Sequence, residues 1–208
     1  YNPELRLGLL ELDSKKSGRL IARHLLDLGH RNIAYLSTPL TETELPRLRR
    51  LQGMKEEYLE SGIDPSHIQT FSLTEEHWDS YPAGNRYYET GYQLTMEYFK
   101  APSNITALVG TNDTVAIGIM DALAKLHYSV PKDYSICGFD NTLASSFVGI
   151  SLTTIDHCIE EKGKDAVDML ISQQNFIRLG HKNKKPPIMR LEYEPQLIIR
   201  NSTGIPRK

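Results

Sequence analysis

Polar side chains collect where strand-like runs of this sequence end. Ser37, Thr38 and Pro39 close "RNIAYLSTP", Ser72 and Thr74 follow "HIQTF", Thr111, Asn112 and Asp113 follow "TALVG", and Asp140 with Asn141 ends "YSICGFDN". A carboxylate such as Asp140 can accept from two adjacent hydroxyls, the Asn112 amide offers both a donor and an acceptor, and an arginine supplies a planar fork of donors. That set suits a polyhydroxylated ligand. Rings to cover the apolar face of a sugar are available in "HWDSYPAGNRYY": Trp78, Tyr81, Tyr87 and Tyr88. Tyr88 also falls on the apolar stripe of a helix, which predicts a core position for it. Asp113 is placed to cap the helix that follows it, leaving Asn112 to face the crevice. Any one of these residues could serve only as a turn former or cap; their convergence on one ligand type is what carries the reading.

The elements that must position them alternate regularly. Ser14 opens a helix with Leu20, Ile21, Leu25 and Leu28 on one stripe, stopped by Gly29. After "RNIAYLST" a second helix carries Leu48, Leu51, Met54, Tyr58 and Leu59, and after "HIQTFSL" a third carries Tyr88, Tyr92, Met96 and Phe99. "ALVG" then leads into a helix with Ala116, Ile117, Met120, Leu123 and Ala124, followed by "YSICGFD". Strands alternating with helices imply βαβ units and a doubly wound parallel sheet covered on both faces, whose ligands sit beyond the carboxyl ends of the strands. Past Asp140 the rhythm changes. "ISLTTID" reads as extended, a helix from about Glu160 to Ser172 turns Val167 and Leu170 inward, "LGHKNKKPP" is a polar loop, and "IMRLEYE" and "QLIIRN" close the chain as strands.

Composition excludes several classes. The 208 residues, 39% hydrophobic and 24% charged, fit a globular protein of one domain or two small lobes. No run of about 18 apolar residues is present to span a membrane, and the N-terminus has no signal-like pattern. It also lacks an initiator Met, so the natural start is expected to lie upstream. With 24 basic against 26 acidic residues this chain has no basic footprint for nucleic acid. Cys137 and Cys158 form no ligand pair and are expected to be thiols of a cytoplasmic protein. The histidines lack zinc spacing, and dinucleotide, phosphate-loop, GxSxG and HExxH motifs are missing, so no metal, cofactor or catalytic step is expected.

Four stretches, "HLLDLGHRNIAYLST", "RLRRLQGMKEEYLESGI", "ALVGTNDTVAIGIMDALAKLHYSVPKDYSICGFDNT" and "LTTIDHCIEEKGKDAVDML", resemble in order and spacing the effector-binding domain of lactose-repressor/galactose-repressor (LacI/GalR) regulators, over about Leu9 to Arg200. The ending "YEPQLIIRNST" resembles the arabinose-repressor type. The resemblance implies an α/β, periplasmic-binding-protein-like fold of type I, with one nearly complete lobe and part of a second. It assigns residues 1–28 and 157–194 to a partial N-terminal lobe, and 29–156 and 195–208 to the C-terminal lobe. It matches Arg50, Asn112 and Asp140 to effector-contacting positions and His157 to a polar residue where the chain crosses between lobes. The aromatic lid is displaced: Arg86 stands at its usual position, Tyr87 follows, and "SYPAG" interrupts the pattern just before it.

The function implied by the resemblance is that of an effector-sensing domain of a transcriptional repressor, taking a sugar or sugar phosphate between its lobes and reaching operator DNA through a head outside this chain. It would work as a homodimer, with the helix from Val115 to Leu126 and the segment Leu143 to Ile150 at the contact. Coupling would pass through Leu28 to Arg31, Thr154 to His157 and Glu194 to Gln196. The competing expectation is a periplasmic sugar-binding protein of a transport system, which shares the architecture.

Overall fold

A computed structural model describes residues 8–41, 45–99, 104–178 and 188–207. In chain order its elements are β1 (Leu9–Leu12), α1 (Ser14–Asp27), β2 (Ile33–Ser37), α2 (Leu45–Glu60), β3 (Ile68–Ser72), α3 (Glu75–Ser80), α4 (Arg86–Tyr98), β4 (Ala107–Gly110), α5 (Asp113–Lys125), β5 (Ser135–Cys137), β6 (Thr154–Asp156), α6 (Ile159–Arg178), β7 (Arg190–Tyr193) and β8 (Gln196–Ile198). The expected loop "LGHKNKKPP" lies outside the described residues.

The chain forms two compact units. The larger comprises residues 14–156 and 196–208, the smaller residues 1–13 and 157–195. In the larger, four parallel strands run in the order β3-β2-β4-β5. Their register aligns Leu36 with both Phe71 and Gly110, and Val109 with Cys137, so the residues that come after all four strands leave by one edge. The period-two alternation of β2 sends Ile33 and Tyr35 to one face and Ala34 and Leu36 to the other. On the first face they meet Ile21, Leu25, Met54 and Tyr58 of α1 and α2; on the second, Val115, Ile119 and Leu123 of α5. Burying each large apolar side chain contributes on the order of 1.5–3 kcal/mol, so both faces are covered strongly.

This packing moves a boundary. The resemblance places residues up to 28 with the other lobe, but α1 buries Ile21, Ala22 and Leu25 completely against β2 and α2. The chain therefore passes between the units at 13/14, 156/157 and 195/196, the first of these some fifteen residues before the expected crossing. α1 also approaches α2 backbone to backbone: a Cβ on Gly53 would stand 1.9 Å from the Lys15 carbonyl oxygen, and one on Gly18 1.9 Å from that of Arg50. His30, fully enclosed just past α1, hydrogen-bonds Thr106 Oγ1 at 2.7 Å and Ser135 Oγ at 2.9 Å, tying the amino ends of β4 and β5 to the helix pair.

The smaller unit pairs β1 with β7 in parallel. Its helix α6 is longer than the expected span, and of its residues only Met169 is buried. Val167 and Leu170, expected inward, are 54% and 62% exposed. Helical periodicity specifies a stripe but not what covers it, and among the described residues this unit's sheet has only two strands. No described helix is long and apolar enough to cross a membrane, and no disulfide joins Cys137 to Cys158.

Candidate functional site

At the common carboxyl edge of the sheet, Pro46, Arg47, Arg50, Thr111, Asn112 and Asp140 enclose a pocket of about 210 Å³. Arg50, Asn112 and Asp140 thus meet in one place although 90 residues separate the first from the last. Each arrives by a different local device.

Arg50 sits in the second turn of α2 with its side chain nearly buried. It donates to the Thr111 carbonyl, and its guanidinium lies 4.7 Å from the ring centroid of Phe139. Burial lowers its pKa from the ordinary arginine value, which Tyr35 and Asp140 partly offset. Arg50 is held from two strand ends at once, since Thr111 follows β4 and Phe139 follows β5. Thr111 is fixed in turn: its hydroxyl is 2.9 Å from the Tyr35 hydroxyl.

The expected division of labour between Asn112 and Asp113 is reversed. Asn112 is the cap of α5, its Oδ1 accepting from Val115 N–H at 2.8 Å. Asp113 is fully buried and accepts from Thr142 N–H at 2.8 Å, Thr142 Oγ1 at 3.0 Å and Thr154 Oγ1 at 2.5 Å. The physical reason lies in the competing donors: two threonine hydroxyls from sequence-distant segments satisfy a buried carboxylate better than one helix N–H does. Asn112 still lines the pocket while its oxygen is engaged by the cap.

Asp113 also shapes the loop carrying Asp140. A Cβ on Gly138 would stand 2.5 Å from Asp113 Oδ1, so the chain passes the carboxylate with no room for a side chain. Asp140 has φ 140 and Asn141 φ 53, two successive non-glycine residues in the left-handed half of conformational space. Such strain persists where the surroundings over-determine it. Here Asp140 N–H donates to Ile155 O at 3.0 Å, Asn141 Nδ2 donates to Asp156 at 2.9 Å, and Arg200 donates to Asn141 Oδ1 at 2.6 Å. Burial pushes the Asp140 carboxyl up to about 7 against the opposing pull of Arg50, with the negative charge of Asp113 adding to the rise.

Arg47, one turn before Arg50, is a site residue that the sequence analysis misses, although its i−3 position on the same helix face is a usable signal. It lines the first pocket and also a second of about 330 Å³ with Pro39, Thr41, Glu75, Trp78, Asp79 and Tyr87. Tyr87 therefore stands one side chain away from the Arg50 group, and its hydroxyl accepts from Arg47 at 3.0 Å. Tyr88 is half-buried rather than in the core: it stacks on Tyr92 and its hydroxyl donates to Asp121 at 2.9 Å. The phenol needs a partner, and the edge of α5 supplies one. His157 belongs to the smaller unit. Among the described residues no group of His, Cys, Asp and Glu could hold a metal ion.

Comparison with known proteins agrees with this fold. A family model described as a periplasmic binding protein-like domain matches residues 22–203. A relative from Mannheimia succiniciproducens, named HTH-type transcriptional repressor PurR, is 32% identical over 91% of this chain and 51% of its own length. An arabinose metabolism transcriptional repressor of Halalkalibacterium halodurans is 31% identical over 98% of this chain and 51% of its own. Among solved structures, a LacI family transcriptional regulator from Enterococcus faecium with bound ribose superposes with a TM-score of 0.82 at 25% identity, covering 99% of this chain and 68% of that one. A LacI-family transcriptional regulatory protein from Corynebacterium glutamicum is 30% identical with a TM-score of 0.71, covering 95% and 67%. The chain spans about half the length of the curated relatives it matches. With a parallel sheet, a polar pocket at its carboxyl edge and family-wide similarity along nearly its whole length, the chain belongs to the LacI family of transcriptional regulators, as the periplasmic-binding-protein-like domain of that family.

Proposed function

We propose that this chain is the effector-sensing part of a transcriptional repressor, that its effector is a polyhydroxylated small molecule of the sugar class, and that Arg50, Asn112 and Asp140 hold the effector's hydroxyls. The observation that carries this reading is the meeting of a guanidinium, an amide and a carboxylate in one pocket at the carboxyl edge of a parallel sheet. The ribose bound by the Enterococcus faecium relative and the repressor names of the curated relatives support it over a transport role. Tyr87 is the aromatic neighbour of the group, and His157 the polar residue at the start of the segment that leaves the larger unit.

In this reading no bond of the effector is made or broken. The ligand shifts an equilibrium because one conformation binds it better, and by linkage the same difference alters affinity for operator DNA. DNA contact belongs to a segment beyond this chain, and the repressor acts in the cytoplasm as a homodimer.

A thermal-shift screen of the intact protein against D-ribose, L-arabinose, D-glucose and D-galactose tests this, since a ligand of the native state raises the melting temperature. Asp140→Asn, close in shape but uncharged, is expected to weaken the responding sugar by about tenfold or more, the ~1.5–3 kcal/mol of a hydrogen bond to a charged group. Normal affinity in that variant would refute the site.

A further inference from the structure

Arg47 is a wall shared by the pocket beside Arg50 and a second concavity. That side chain, in the first turn of α2, walls the 330 Å³ concavity where Trp78 and Tyr87 meet Glu75 and Asp79 beyond the carboxyl ends of β2 and β3. We propose that this concavity is a second sugar subsite and that the effector is at least a disaccharide, one ring held by Arg50, Asn112 and Asp140 and the next seated against Trp78 and Tyr87. The inference rests on reading the first pocket as a sugar site and adds the size class of the ligand.

Shape supports it. The Trp78 and Tyr87 ring centroids are 5.0 Å apart with the planes at 71°, so the two rings form an apolar corner rather than a stack. Tyr87 is held there by Arg47, which donates to its hydroxyl at 3.0 Å and lies 5.7 Å from its ring centroid. Trp78 is held by the Arg86 guanidinium, 5.6 Å from its ring. These are half-buried aromatics fixed in place, and fixed rings bind without losing much conformational freedom.

Charge selects the ligand class. Aromatic rings beside carboxylates could equally cage an ammonium group. Here Asp79 is paired with Arg86 at 3.2 Å, and the lining carries the Arg47 guanidinium as well as Glu75, so two carboxylates stand against two guanidinium groups. A lining rich in donors and acceptors but balanced in charge favours a neutral polyol over a cation. Size agrees: the first pocket at about 210 Å³ falls below the roughly 300–1,000 Å³ of small-molecule sites, and the two taken together, with Arg47 as their common wall, fall within it. Four of the seven lining residues, Glu75, Trp78, Asp79 and Tyr87, come from the stretch that holds "SYPAG".

Trp78 is the only tryptophan of this chain, and the part of the emission that Trp78→Leu removes from the intact protein reports on this subsite. The intact protein would be titrated with D-glucose, D-galactose, L-arabinose and D-ribose, and with cellobiose, maltose, lactose and melibiose, by calorimetry and by tryptophan emission. A disaccharide is expected to bind about tenfold or more tightly than either of its component monosaccharides and to shift the emission, which the monosaccharides leave unchanged. Trp78→Leu should reduce that disaccharide to monosaccharide affinity while the monosaccharide constant stays the same, and Trp78→Phe should restore most of the gain. A monosaccharide that binds as tightly as every disaccharide, or a Trp78→Leu variant that weakens all sugars equally, overturns the second subsite and leaves the first reading standing. Failure of every sugar to bind overturns both.

Discussion

The Asp140 carboxylate stands 3.9 Å from the Arg50 guanidinium, an ion pair at a distance too long for a hydrogen bond. Burial has a larger effect on Asp140 than the arginine does.

That balance predicts a pH dependence. Asp140 moves from an ordinary 3.8 to about 7 on folding, so between those values the folded state binds more protons than the unfolded one. Stability from this group is present at low pH and is lost as pH rises through about 7. Asp140→Asn, which cannot ionise, should therefore melt at a higher temperature than the parent at about pH 8, and the gap should narrow as the pH is lowered. Thermal unfolding across that range checks it; a gap that does not change with pH would be the contrary result.

Asn112 performs two tasks that substitution can separate. Asn112→Ala removes the cap on Val115 N–H and should cost about 1 kcal/mol of stability together with effector affinity. Asn112→Asp keeps a capping oxygen but removes the amide donors, so calorimetry should show weakened binding at a nearly unchanged melting temperature.

The backbone contact of α1 with α2 makes Gly53 a positional residue for Arg50, which lies three residues earlier on the same helix. Gly53→Ala should push the helices apart, cost roughly 1–3 kcal/mol as overpacking does, and weaken effector binding with it. Gly163 in α6 has nothing within 4 Å of an added Cβ, so Gly163→Ala should leave binding intact and gain a fraction of a kcal/mol, up to ~1, from helix propensity. Denaturant melts and titrations of both variants test the contrast.

The surface at Leu143, Phe147 and Val148 is 78%, 53% and 98% exposed, an apolar cluster of the kind that association covers. Of the α5 stripe expected at the same contact, Ala116 and Leu123 are taken by the core, while Ile117 and Met120 are half-buried and Ala124 is exposed. Asp substitutions at Phe147 and Val148 should shift the proposed dimer toward monomer in sedimentation velocity, whereas substitution at exposed Lys125 of α5 should not.

The sequence by itself determined the order of helices and strands, because period 3.6 and period 2 are written in the apolar positions, and it determined the parallel sheet, because strands joined by helices of three or four turns can pair in no simpler way. It also brought Asn112 and Asp140 together, since residues just past the strands of such a sheet leave by one edge, whereas Arg50, inside a helix, was matched to them only through the family resemblance. Only the tertiary structure decided which carboxylate or amide does what there. Asn112 caps α5 and Asp113 turns to Thr142 and Thr154 because its best donors come from segments 29 and 41 residues away, a distance across which local pattern carries no information. The same holds for α1, claimed by the larger unit through Ile21 and Leu25, and for α6, whose stripe says that Val167 and Leu170 want cover but not where cover is found. Periodicity records what a residue needs from its neighbours, and the folded chain alone decides which neighbour arrives.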